Sequence, residues 1–137
     1  MSIARRYSHG SEFPSEAYVQ AAIEEHFRRL GFITDNSGHI DLLCSHPTSG
    51  ERWHIEAKGE TSEPGLDFRT CLGQLIQRMR DSGTNYGIAL PNIPRYTSQI
   101  EAMSAWVVEA LRIHWLLVAR DKSVRIVPPK NVGERNV

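Results

Sequence analysis

Two carboxylates and one lysine carry the chemistry that can be read from this chain. They lie in HIDLLC (39–44) and WHIEAKGE (53–60). Side chains alternate between the faces of a strand. WHIEAKGE therefore sets Trp53, Ile55 and Ala57 on one side, and His54, Glu56 and Lys58 on the other. HIDLLC sets Ile40, Leu42 and Cys44 on one face, and His39, Asp41 and Leu43 on the other. Between them PTSG (47–50) breaks strands and favours a turn. A reversal at Thr48–Ser49 leaves Asp41 and Glu56 equidistant from the turn, so they should face each other. Two acids and a lysine then share one patch of sheet.

Asp41 and Glu56 offer the hard oxygen donors that Mg²⁺ or Mn²⁺ prefers, with water and substrate phosphate completing the shell. A lysine beside such an ion can orient or deprotonate an attacking water, or neutralise charge on phosphorus. The set suits metal-assisted phosphodiester hydrolysis. Buried together without a metal or a cationic partner, the two carboxylates would repel, and one would hold a proton.

The tripeptide alone is weak. With 11 Glu and 3 Lys, roughly one shuffled chain in four would contain Glu-x-Lys by chance. Its weight comes from the apolar strand positions around it, the aspartate at hairpin-matched distance and the helix that follows. The other lysines, Lys122 and Lys130, fall in a turn and in the tail. The competing reading is a structural Glu–Lys cross-strand pair.

The elements that must position this patch follow from periodicity. Val19, Ala22, Ile23, Phe27 and Leu30 recur at helical spacing from Pro14 to Leu30, with Gly31 as the stop. The opposite face carries Glu16, Gln20 and Glu24, one turn apart, which a solvated face would also explain. Residues 32–36 give a short edge strand. After the hairpin, GETSEPG (59–65) leads into a helix over Asp67–Asp81 with Asp67 as N-cap. Its buried stripe is Phe68, Cys71, Leu72, Leu75, Ile76 and Met79, and Thr70, Gln74 and Arg78 line a polar face. Gly73 suggests close approach to the sheet. NYGIALP (85–91) is a buried strand, and a third helix spans Thr97–Ile113 with Ile100, Met103, Trp106, Val107, Ala110 and Leu111 inward. HWLLVA (114–119) and VRIV (124–127) form a final strand pair. The order is α-β-β-β-α-β-α-β-β, an α/β sandwich around a mixed central sheet. Residues 1–13 read as an irregular arm, 14–127 as one domain and 128–137 as a loose tail.

Composition sets the bounds. The 137 residues suit one domain, and 40% apolar with 23% charged residues is ordinary for a globular protein. No apolar run approaches the ~20 residues of a membrane span, and MSIARRYSHGSEFP is no secretory signal. Cys44 and Cys71, without CxxC spacing, read as buried reduced thiols, which implies a cytoplasmic setting. Sixteen basic and sixteen acidic residues balance, so the chain as a whole has no electrostatic case for coating nucleic acid. The six histidines show no HxxxH or HxH spacing for zinc. GETSEPG lacks the pattern of a nucleotide phosphate loop. Trp53, Trp106 and Trp115 fall on apolar sides of their elements and read as core.

Asp41, then Glu56-Ala57-Lys58, within an α-β-β-β-α-β order, resembles the PD-(D/E)XK nuclease superfamily, whose fold is restriction endonuclease-like. HIDLLC is similar to the strand bearing that family's aspartate, and IEAKGE to its catalytic strand. GQLIQ (73–77) resembles the glutamine-bearing helix of its resolvase-like and restriction-like branches. The likeness covers about residues 14–91, leaving a C-terminal helix and hairpin beyond it. It implies a metal-dependent deoxyribonuclease using Mg²⁺ or Mn²⁺. Asp41, Glu56 and the Ala57 carbonyl would bind the metal, Lys58 would serve the attacking water, and Gln74 would support the site or touch the substrate backbone. The family often places a glutamate on its first helix. Here Gln20 stands at that place, with Glu16 and Glu24 one turn either side. The family also includes inactive members, so the alternative is a non-catalytic module that binds nucleic acid or a protein in a defence, repair or mobile-element system. Work on duplex DNA by so small a domain would call for a homodimer.

Overall fold

A computed structural model describes residues 11–36 and 41–129, and of Asp41 only the backbone. Among these residues the order is α1 (Glu16–Arg29), β1 (Ile33–Asp35), β2 (Asp41–Ser45), β3 (Arg52–Ala57), α2 (Pro64–Gln77), β4 (Asn85–Pro91), α3 (Pro94–Glu101), α4 (Ala105–Leu111), β5 (Ile113–Val118) and β6 (Val124–Val127).

The six strands form one mixed sheet in sequential order β1 to β6. β1–β2, β2–β3 and β5–β6 are antiparallel, while β3–β4 and β4–β5 are parallel. Parallel neighbours need crossovers, and these keep one hand, so α2 and the α3–α4 pair fall on the same side of the sheet. That side encloses Phe68, Cys71 and Leu75 of α2 with Tyr86, Ile88, Leu90, Tyr96, Val108 and Trp115. The other face is covered by α1, whose Val19, Ala22, Ile23 and Phe27 pack on Leu42, Cys44, Trp53, Ile55, Ala57 and Ala89. No helix among the described residues is long and apolar enough to cross a membrane. Both cysteines are buried, and neither is in a disulfide.

Helix ends follow local chemistry. The Ser15 hydroxyl accepts from the Tyr18 N–H at 3.2 Å and caps α1. At its other end Gly31 takes φ +94°, and the Phe32 N–H donates to the Phe27 carbonyl at 2.9 Å.

The strands 85–91 and 124–127 coincide with the expectation. Several features differ, among them the end of α2 at Gln77 instead of Asp81 and the exposure of Leu30, Ile76 and Ala110, expected on buried faces. α2 begins at Pro64, not at Asp67, because proline at a first helical position loses only an N–H that had no helical partner. Asp67 is already helical, with its N–H on the Glu63 carbonyl at 3.0 Å, and its side chain accepts from the Thr61 hydroxyl. The expected single helix over Thr97–Ile113 is two helices, interrupted after Ala102, with Ser104 starting α4 and Ile113 already in β5. The interruption resets the helical phase, so Trp106 points outward at 70% exposure. Gly73 has no atom within 4 Å of where a Cβ would stand, so close packing does not explain it.

The expectations for residues 1–10 and 130–137 lie outside the described residues. At the domain edges, Phe13 meets the Tyr18 ring edge-on at 5.5 Å, and Pro129 is buried.

Candidate functional site

The hairpin that carries the candidate residues is closed by residues 46–51. The His46 N–H donates to the Glu51 carbonyl and the Gly50 N–H to the His46 carbonyl, both at 2.9 Å. The His46 Nδ1 accepts from the Thr48 and Ser49 N–H groups at 3.2 Å, and Gly50 supplies the positive φ of +78°. This turn fixes the register of everything beyond it. Ser45 pairs with Arg52, Leu43 with His54, and Asp41 with Glu56. The Asp41 backbone thus stands opposite Glu56, as the spacing predicts; its side chain and His39 lie outside the described residues.

Glu56 is the one buried charged residue among those described, at 1% exposure. It shares its face with His54 and, by alternation, with Lys58, toward α2 and away from α1. An apolar strand would make such a carboxylate costly without a partner. The Arg78 guanidinium, at the C-terminal cap of α2, is that partner and donates to the Glu56 Oε2. Gln74 lies on α2 one turn before Arg78, half-buried. Gln74 and Arg78 share the polar stripe that the sequence predicts for this helix, which assigns Arg78 no role. The available signal was a carboxylate bound for a buried strand, which demands a cation.

Lys58 follows β3 directly, and its N–H extends the ladder to the Ala89 carbonyl at 3.0 Å. The chain leaving it is held on three sides. The buried Tyr96 hydroxyl donates to the Gly59 carbonyl at 2.7 Å. The Glu60 N–H donates to the Pro14 carbonyl at 2.8 Å, and the Glu60 carboxylate pairs with Arg95. A Cβ on Gly59 would lie 2.0 Å from the Glu16 backbone nitrogen, so only glycine lets the start of α1 come this close. Tyr96 was not anticipated, since its neighbours in sequence give no hint of a contact 37 residues away.

The first-helix acids stand apart from Glu56. Glu16 is exposed and Gln20 half-buried. The Glu24 carboxylate accepts from the Asn36 amide at 2.6 Å and pairs with Arg28 at 3.8 Å. It lies beside Cys44 on the α1 side, where burial first and the Glu24 charge second push the thiol pKa up to about 12.

Among the described residues no three His, Cys, Asp or Glu side chains stand together as a metal cage. Glu56 offers hard carboxylate oxygens on this face, and its pairing with Arg78 marks the spot as one where positive charge is accommodated. Beyond the reach of α2, among the described residues, the same sheet face carries exposed Ile33 and Leu43 and half-buried His54, whose ring lies 5.7 Å from Tyr86. Two clefts lie elsewhere, at the starts of β4 and β5. One of about 340 Å³ is lined by Thr84, Asn85, Arg112, His114 and Pro129 among others, and a neighbour of about 300 Å³ shares Thr84 and Arg112.

Compared with protein-family profiles and with curated proteins, the sequence matches none.

Proposed function

We propose that this protein is a metal-dependent endonuclease that hydrolyses DNA phosphodiester bonds, with a restriction endonuclease-like core and Asp41, Glu56 and Lys58 as its essential trio. The observation that carries the reading is the β2–β3 register, which sets the Asp41 backbone opposite Glu56, with Lys58 following β3 two residues on and its N–H on the Ala89 carbonyl. Mg²⁺ or Mn²⁺, when bound, supplies Lewis acidity toward phosphate and water. The two acids and the Ala57 carbonyl would hold it. Lys58 orients the attacking water and neutralises charge that grows on the phosphate oxygens. The water oxygen bonds to phosphorus, one P–O ester bond breaks, and the leaving oxygen takes up a proton. Gln74, on the helix above, steadies the site or meets the substrate backbone. Cutting both strands of a duplex calls for a homodimer with two sites related by twofold symmetry.

Calorimetric titration with Mn²⁺ tests the site. Wild type should bind, and Asp41→Asn and Glu56→Gln should each lose binding while keeping the fold by circular dichroism. Undiminished binding in both variants would contradict the assignment.

A second reading has its own support in the Glu56–Arg78 pair. A carboxylate already neutralised by arginine can be structural, as in a non-catalytic module that binds nucleic acid or a protein partner. That reading predicts no divalent-ion binding by the folded wild type.

A further inference from the structure

We propose that Arg78 is the counter-ion that a divalent cation must displace from Glu56, so that loading the site and releasing the arginine are one event. This rests on the metal-site reading above. Glu56 is 1% exposed and pairs with Arg78. A carboxylate so placed cannot stay charged and alone, so the metal-free protein requires an internal cation. The Glu56 Oε2 that accepts from Arg78 cannot also serve a divalent ion at full strength, because the two cations repel and compete for its lone pairs.

The surroundings suit an exchange. Arg78 sits just past the last turn of α2, and its side chain is half-buried, with a path to water. Its backbone is held: its N–H donates to the Leu75 carbonyl at 3.0 Å, while the Arg80 and Asp81 N–H groups donate to the Tyr86 hydroxyl at 3.1 and 3.2 Å. A long side chain on a fixed backbone can leave the carboxylate without unfolding the helix. The pairing therefore sets a threshold, and divalent ion occupies the site only above the concentration that outcompetes the arginine.

The test is Mn²⁺ binding, followed by the electron paramagnetic resonance of the free ion, on wild type, Arg78→Gln, Arg78→Lys and Glu56→Gln. Thermal melts in chelator and in Mn²⁺ accompany it. Arg78→Gln should bind Mn²⁺ at least about tenfold more tightly than wild type. Arg78→Lys, with a weaker fork, should fall between them, and Glu56→Gln should lose binding. In chelator Arg78→Gln should melt below wild type, and Mn²⁺ should raise its melting temperature more than it raises that of wild type. Equal or weaker Mn²⁺ binding by Arg78→Gln, or a stability loss that Mn²⁺ does not restore, would overturn the exchange while leaving the metal site standing. Absence of binding by every folded protein would overturn both. Should Arg78→Gln fail to fold in chelator, Arg78→Lys decides, since equal or weaker binding than wild type refutes the exchange.

Discussion

The Asp41 backbone stands opposite Glu56 across the β2–β3 pair, and the five-pair register that brings them together is set by a turn at residues 46–51. Like charges directly opposite in an antiparallel pair are destabilising by roughly 0.2–1 kcal/mol. Arg78 already offsets much of that repulsion at Glu56, so in chelator Asp41→Ala should leave stability unchanged or raise it by less than about 1 kcal/mol. Urea melts measure this, and a loss above about 2 kcal/mol would mark Asp41 as a structural residue instead.

The Tyr96 hydroxyl holds the Gly59 carbonyl, one residue beyond Lys58. Removing the hydroxyl in Tyr96→Phe takes the donor from the buried Gly59 carbonyl, at a cost of about 1–3 kcal/mol. A lower melting temperature is expected, together with cleavage that falls in kcat more than it rises in KM. Wild-type kinetics in a destabilised variant would separate the hydroxyl from the site.

Gly59→Ala should be harsher. The added Cβ meets backbone atoms of Ser15 and Glu16 at 2.0–2.4 Å, which no rotamer can relieve. Either α1 or the Lys58 loop must move, with about 1–3 kcal/mol lost or more. Thermal melts check the loss, and a variant as stable as wild type would contradict the close approach.

His114 gives the fold a pH dependence. Burial lowers its pKa below the ordinary 6.5, with Arg112 adding to the effect, while the Tyr86 carbonyl and Glu51 act against it. Burial also lowers His26, with Arg29 in support. The unfolded chain then binds more protons than the folded one below 6.5, so stability is full above that value and falls as pH drops toward the lowered folded pKa. Urea melts at about pH 7.5 and about pH 5 should show the fall, and His114→Gln should flatten it. A profile unchanged by the substitution would assign the dependence elsewhere.

The legibility of this chain follows how local each determinant is. The hairpin could be read because alternation and the turn cluster both act within twenty residues, and each agrees with the other. β4 and β6 could be read as apolar runs closed by proline or turns. The interruption after Ala102 could not, since Ala102, Met103 and Ser104 are all compatible with a helix and no glycine or proline marks the spot. With the phase carried through that point, an outward Trp106 looked inward. Arg78 was visible as a polar position on its helix, but its contact with Glu56 spans 22 residues and depends on how α2 crosses the sheet. Tyr96 and Gly59 meet for the same reason, through tertiary packing that no window of sequence contains.

The most direct test of the central claim is plasmid cleavage in Mg²⁺ and in Mn²⁺, wild type against Lys58→Ala. Lys58 is half-buried at the end of β3, and its replacement removes one charge while the backbone bond to Ala89 stays. The account predicts metal-dependent nicking or cutting by wild type, lost in a variant that folds normally and still binds Mn²⁺. A variant that cuts as well as wild type, or a wild type that binds neither metal nor DNA, would contradict it.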